Sequence, residues 1–381
     1  MKSFWHDRRG RLMTLTNYWW LLIWLFTGGL FLAYFAPKQV QSTTGEIKRH
    51  WMLIPSIVLI IPYVIWAGFR TDNWGDTYAY REMFEEAPSS LSGLLSYVQS
   101  ADKDQGFSVL TVLIKSVFGN SDVAFFIVIA LIQLFCLIYV YRKYSCNLWL
   151  SIFIFVASTD YMSWMHNGIR QFLAVGITSI AMILTVKKKH LLAIILILIA
   201  ATVHASALIM LPGIFIIQGK AWNKKTLLAL IAALIVILMI DRFTDFLDLL
   251  LADTQYSTAV STWQQEGDDG TSPFRVLVYA VPLILSLIGY KYIKNADNPV
   301  VNLSVNAGIC AVGIFAISIF SSGIFIGRLP VYFYVASQGI LLPWEIENMF
   351  NERSKKLVLI ATVICYSAYF YYQMHIAWGI I

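Results

Sequence analysis

Three cationic side chains stand where an apolar chain should have none. The string HNGIRQFLAVGITSIAMIL puts Arg170 one turn inside a run long enough to cross a membrane. His204 lies within LILIAATVHASALIMLP, and Arg328 stands between two apolar runs in ISIFSSGIFIGRLPVYFY. A cation at the bilayer centre costs roughly 2.5–3.5 kcal/mol on insertion scales, so its presence calls for a functional reason. A guanidinium in a low-dielectric pocket binds a phosphate-type anion through two parallel N–H donors, which is the chemistry expected of Arg170. The competing roles are an interhelical pair with Asp160 or a side chain snorkelling to the interface. Asn167, three residues earlier, shares a helical face with Arg170, whereas Gln171 points about 100° away. His204 suits a general base, a donor to substrate, or a core imidazole bonded to a carbonyl. Arg328 heads its run from the outer side, where it either meets an anion or anchors the interface.

Two polar segments add further candidates. GFRTDNWGDTYAYREMF crowds Arg70, Asp72, Asp76, Tyr78, Tyr80 and Arg81 into twelve residues. Carboxylates beside aromatic rings suit sugar recognition, and a solvated loop with a Gly75-Asp76 turn explains the same residues. The second segment, YSTAVSTWQQEGDDGTSPFR, offers Tyr256, Trp263, Glu266, Asp268, Asp269 and Arg275, with Pro273 opening the next helix. No His, Cys or carboxylate set has metal-ligand spacing, so neither a metal nor another cofactor is expected. Cys136, Cys310 and Cys365 lie within spans and Cys146 at a span end, which suits packing rather than a disulfide framework.

The elements that must position these groups follow from composition. Only 13% of the 381 residues are charged and 58% are hydrophobic, against about a quarter charged in soluble domains. The chain therefore reads as one all-α polytopic membrane domain over residues 1–381, with about twelve transmembrane segments, some of them short or re-entrant. The expected spans are 17–36, 51–69, 121–141, 148–163, 168–186, 190–203, 204–217, 225–240, 274–292, 300–321, 329–344 and 356–375. The net charge of +6 reflects topology rather than nucleic-acid binding. Connections at 142–147, 187–189, 218–224 and 293–299 are Lys/Arg-rich and belong on the cytoplasmic side. Loops 70–106, with seven acids and three bases, and 241–273, with seven acids and one base, belong outside. Arg170, His204 and Arg328 then all fall toward the outer face.

Three features bend this scheme. The runs flanking His204 are each about 21 Å long as helices, so two short helices meeting near His204 are expected. Phe107–Phe118 is also short, and Ser108, Thr111 and Lys115 form one polar stripe on it, as in a re-entrant or interfacial helix. Placing 70–106 outside also puts Lys2, Arg8, Arg9 and Arg11 outside, against the charge rule. The rival scheme makes 107–118 a span and keeps 70–106 inside. A start at Met13 would remove the four N-terminal cations and leave the count even.

At these residues the chain resembles the EpsG family of exopolysaccharide and O-antigen polymerases, the Wzy-type enzymes. The likeness lies in Gly75-Asp76-Thr77-x-x-Tyr80-x-x-x-Phe84 and in Gly106-Phe107. It continues in Asn167-Gly168-Ile169-Arg170-Gln171 with Leu173-Ala174, and in Ala200-Ala201-x-x-His204-x-Ser206-Ala207. Gly327-Arg328 followed by Tyr332-Phe333-Tyr334 completes it. The basic N-terminal extension departs from the pattern. The resemblance implies a GT-C-like fold in the bacterial inner membrane with its site facing outward. It implies transfer of glycan from an undecaprenyl-diphosphate-linked donor to a lipid-linked repeat-unit acceptor, with membrane lipid and a chain-length regulator or flippase as partners. On that reading Arg170 and Arg328 neutralise the leaving diphosphate, and His204 or Asp76 handles the acceptor hydroxyl. Arg70, Asp72, Tyr80, Asn167, Gln171 and Arg275 would contact substrate. A lipid-linked glycan ligase and a flippase of lipid-linked sugars are the alternatives.

Overall fold

Apolar backbone in a bilayer must satisfy its N–H and C=O groups within its own segment, and helices do this residue by residue. The computed structural model describes residues 17–41, 47–72, 74–250 and 270–380, so the N-terminal cations and Tyr256 to Asp269 lie outside the described residues. Among those described, helices dominate and one antiparallel hairpin, Pro37–Gln41 with Ile47–Trp51, is the exception.

Asp122–Tyr144 shows how the sequence sets a helix. Ser121 caps it by accepting from the Ala124 N–H at 3.2 Å, Asp122 opens the first turn, and Arg142 and Lys143 close the last; these charges complement the helix dipole. Its 23 residues reach about 35 Å, enough for the hydrocarbon core. Ile169–Val186, Pro299–Ile319 and Glu352–Ala377 meet the same test. Three further pairs qualify only as bent units: Leu148–Ala157 with Asp160–Asn167 at 69°, Lys224–Leu238 with Ile240–Leu249 at 94°, and Pro273–Ile288 with Tyr290–Ala296 at 73°. Among the described residues, four helices, or up to seven with each bent pair as one, are long and apolar enough to cross by length and composition, against an expectation of about twelve segments, some short or re-entrant. Other runs expected to span form apolar helices of 10–17 residues.

Helices occupy parts of both segments expected as loop, Leu94–Ser100 among them. Thr77–Glu86 lies in the first. Ile240–Leu250 lies in the second, with Ile240, Phe243, Leu247 and Leu250 at helical spacing and Asp241, Asp245 and Asp248 between them.

The bundle has two distinct ends. At one, the Arg142 guanidinium donates to the Trp51 carbonyl at 3.0 Å and the His50 ring meets the Arg142 carbonyl at 3.0 Å. Lys187 lies over the Tyr144 ring, 5.9 Å from its centroid, and Lys220 pairs with Asp297 at 3.5 Å. The basic connections therefore gather there with the hairpin. At the opposite end, Arg81 bonds Asp122 at 2.8 Å and Asp72 as a second partner. The Thr271 and Ser318 hydroxyls meet at this end at 2.8 Å.

The segments around the three cations share this second end. Helix His190–Val203 stops at His204, whose backbone is extended (φ −156°, ψ 118°), and a 3-10 turn, Ala205–Ile209, starts the return through Met210–Ile216. The expected pair of short helices is present, with His204 at its apex. Helix Gln105–Phe118 packs across that apex. Its polar stripe of Ser108, Thr111 and Lys115 is buried, and the Lys115 ammonium donates to the Phe84 and Glu85 carbonyls at 2.9 and 2.7 Å. A cation on the last carbonyls of Thr77–Glu86 satisfies groups that the helix leaves open.

Candidate active site

Arg170 is the second residue of Ile169–Val186, directly after a π-turn, Ser163–Asn167, and Gly168. Such a turn widens the backbone and is frequent at functional sites. Here it delivers the guanidinium to the apex of the His204 hairpin. One guanidinium nitrogen lies 2.9 Å from the Asp104 carboxylate, and the side chain keeps 27% of its surface exposed. The guanidinium also lies over the buried Tyr80 ring, 5.6 Å from its centroid. The alternative partner, Asp160, is elsewhere: it accepts from Tyr279 at 2.5 Å, Tyr334 at 2.8 Å and Trp164 at 3.2 Å. The Arg170–Asp160 pair is therefore corrected to Arg170–Asp104.

His204 faces the same space. Its Nδ1 lies 2.7 Å from the Ser206 hydroxyl, which lies 2.9 Å from the Tyr332 hydroxyl, a chain that ends on a buried phenol. The charges acting on the imidazole are those of Arg170, Arg328 and Lys103. Gln171 ties the third cation in, donating to the Arg328 carbonyl at 3.1 Å. Gly327 touches the Thr271 hydroxyl closely enough to exclude a Cβ, so the Arg328 turn is seated on the end of the second long segment. Among the described residues no carboxylate lies within ion-pairing distance of Arg328.

Asn167 and Asp76 form the rim. The Asn167 side-chain oxygen accepts from the Asp76 N–H at 3.2 Å, and Asp76 itself is exposed at the head of Thr77–Glu86. Gly75 makes this approach possible. Its φ is +51°, and a Cβ there would lie 2.8 Å from the Asn167 side-chain oxygen.

The structure thus brings Arg170, His204, Arg328, Gln171, Tyr80, Asn167 and Asp76 to one place. It sets three candidates apart. The Arg70 guanidinium is buried against the Phe126 ring and donates to the Ala67 and Met165 carbonyls at 2.6 and 2.7 Å. Asp72 pairs with Arg81. Arg275 lies over the Tyr279 ring, 5.7 Å from its centroid, beside the Asp160 cluster.

Asp104 is the residue that sequence reasoning missed. Its backbone is left-handed (φ 55°, ψ 38°) at the N-cap of Gln105–Phe118, yet its side chain makes no capping bond. An aspartate in that position ordinarily bonds the helix N–H groups; this one turns to Arg170 and to the Ala205 N–H instead. Burial pushes its carboxyl above the usual aspartate range, and Arg170, Lys103 and the Ala205 N–H oppose that. Among the described residues no three His, Cys, Asp or Glu side chains gather as a metal site.

A cluster of cations with the Asp104 carboxylate and a hydroxyl chain among them, and Asp76 at the rim, can bind a phosphate-bearing lipid and orient a hydroxyl nucleophile. No curated protein and no solved structure matches the chain. The EpsG family model matches residues 53–378 and takes in every element of the site, and so the chain belongs to the EpsG family, a family of polysaccharide polymerases.

Proposed function

We propose that the protein polymerises oligosaccharide repeat units at the outer face of the bacterial inner membrane. It transfers glycan from an undecaprenyl-diphosphate donor to a lipid-linked acceptor by a metal-independent, GT-C-type reaction. The observation that supports this reading is the convergence of Arg170 and Arg328 on the His204 apex, with Gln171, the residue after Arg170, donating to the Arg328 carbonyl. The acceptor hydroxyl attacks the anomeric carbon, the bond to the diphosphate breaks, and the electron pair leaves with that group. Two guanidinium groups beside the departing oxygens gain strength as negative charge collects there, which is where electrostatic catalysis acts. His204, held by Ser206 and Tyr332, orients the acceptor sugar. The leaving group is already good, so the paired carboxylates of a glycosidase are not required.

Purified protein given lipid-linked repeat units tests the proposal. Longer glycans are expected. Product on a foreign acceptor would mean a ligase, and unchanged substrate would overturn transfer altogether.

A further inference from the structure

The proposed reaction releases a proton from the acceptor hydroxyl, and the site must take it. Asp76 is exposed at the rim, where water competes with an acceptor hydroxyl for its carboxylate. His204 is engaged at Nδ1 with the Ser206 hydroxyl, 2.7 Å away, and stands among the cations Arg170, Arg328 and Lys103. Asp104 differs from both. Its side chain keeps only 6% of its surface exposed, and it lies 2.9 Å from the guanidinium assigned to the diphosphate.

We propose that Asp104 is the proton acceptor of the transfer, held on Arg170 until the donor diphosphate takes its place. This rests on the function proposed above. The diphosphate carries more charge than a carboxylate and matches the guanidinium fork, so it displaces Asp104 from the face they share. The carboxylate is then next to the anion that displaced it. Like charge at that distance raises its affinity for a proton, so donor binding itself makes Asp104 a better base. The hydroxyl proton passes to the carboxylate as the new glycosidic bond forms and the bond to diphosphate breaks. The resulting carboxylic acid returns the proton to the departing diphosphate or to water. Binding therefore follows an order: donor first, acceptor activation second.

The backbone at Asp104 is left-handed, as it is at Thr159, Lys188, Trp222 and Asp297, a conformation that aspartate adopts more readily than most residues. Here it turns the carboxylate away from the helix it should cap. The charged and titratable groups that face it are Arg170, Lys103, Tyr332 and, one residue from Ala205, His204. None of these is a second carboxylate.

Asp104→Asn tests this with little change of shape, because the amide oxygen still accepts from the Ala205 N–H. Donor and acceptor come from membranes of cells that accumulate the lipid-linked repeat unit after loss of their own polymerase. Turnover should fall by about 100-fold or more, the usual share of a general base. Binding of undecaprenyl diphosphate to the purified variant should tighten roughly two- to fivefold, since a competing, partly exposed ion pair is gone. Asp104→Glu should keep measurable turnover with the acidic limb of its pH profile, whereas Asp104→Asn should show residual activity with that limb absent. Wild-type turnover in Asp104→Asn would overturn the role of Asp104 alone. Weaker undecaprenyl diphosphate binding in a folded, monodisperse variant would also overturn it, by making Asp104 merely the support of Arg170. If the wild type forms no polymer, the function proposed above fails, and the proton-acceptor role falls with it.

Discussion

A guanidinium differs from an ammonium in shape rather than charge, and Arg170 is where that difference should be largest. Arg170→Lys keeps the pair with Asp104 but loses the two-pronged donor, so polymer formation should fall at least about 100-fold while the protein stays folded. Full activity in that variant would leave Arg170 as a generic charge. Arg328→Ala should act in the same direction. If both cations serve one leaving group, the double variant should lose less than the sum of the singles, and strict additivity would separate the two sites. The reaction needs no divalent ion on this account, so EDTA should leave polymerisation by the purified enzyme intact; inhibition reversed by magnesium would require carboxylates of segment 70–106 to act as ligands. The cations were legible in the sequence because charge inside an apolar string is improbable without a reason. Asp104 was not, because one acid among seven in a polar loop carries no sign of depth. Asp160 was visible as a membrane-level carboxylate, but its three hydroxyl and indole donors come from residues 4 to 174 positions away, a distance over which no local pattern speaks.

At the scale of elements, the site depends on how closely Gln105–Phe118 approaches the His204 apex. A Cβ at Gly106 would lie 2.2 Å from the Thr202 hydroxyl oxygen and 3.0 Å from the Thr202 carbonyl carbon, so the side chain and the backbone both stand in its way. Gly106→Ala should therefore push the helix outward at a cost of about 1–3 kcal/mol, typical of overpacking. Asp104, two residues earlier, should move with it. Thermal unfolding and polymer yield in one preparation check this, and unchanged values for both would mean the two helices do not meet so tightly. The stripe of Ser108, Thr111 and Lys115 signalled this helix, although it is buried, with Lys115 on the last carbonyls of Thr77–Glu86 and Thr111 on the Phe107 carbonyl of its own helix. Helix Ile240–Leu250 had a readable period as well, but its acids marked the segment as loop. The π-turns at Ser163–Asn167 and Ser337–Leu341 have no sequence signature beyond nearby glycines, because they arise from how neighbouring helices force an extra residue into a turn. Several of the apolar runs read from the sequence as spans form short helices of 10–17 residues.

For the whole molecule, the open question is which compartment each end faces. Two orientations compete for the first three apolar segments, and counting basic residues favours the one with 70–106 inside. That count depends on Lys2, Arg8, Arg9 and Arg11, which lie outside the described residues. The packing supports the other orientation. Residues 37–51 share an end with 142–147 through the His50, Trp51 and Arg142 contacts, whereas the rival scheme sets these two connections on opposite sides. Ser89 and Asn120 line one cleft with Lys115, so residue 89 and the chain just after Gln105–Phe118 lie together. The function proposed above needs the Lys/Arg-rich connections to be cytoplasmic and Asp76, Asp104, Arg170, His204 and Arg328 to be on the outer side. A single cysteine at Ser90, with Cys136, Cys146, Cys310 and Cys365 replaced, should react in intact cells with a membrane-impermeant maleimide. Gly119→Cys should react from the same side. The rival orientation also exposes residue 119 but hides residue 90, which makes Ser90 the deciding position. Protection there would place Asp76, Tyr80 and Asp104 across the membrane from where a periplasmic Arg170 has been assigned. Because Asp104 and Arg170 are 2.9 Å apart, that result would overturn the packing of this end of the bundle together with its orientation.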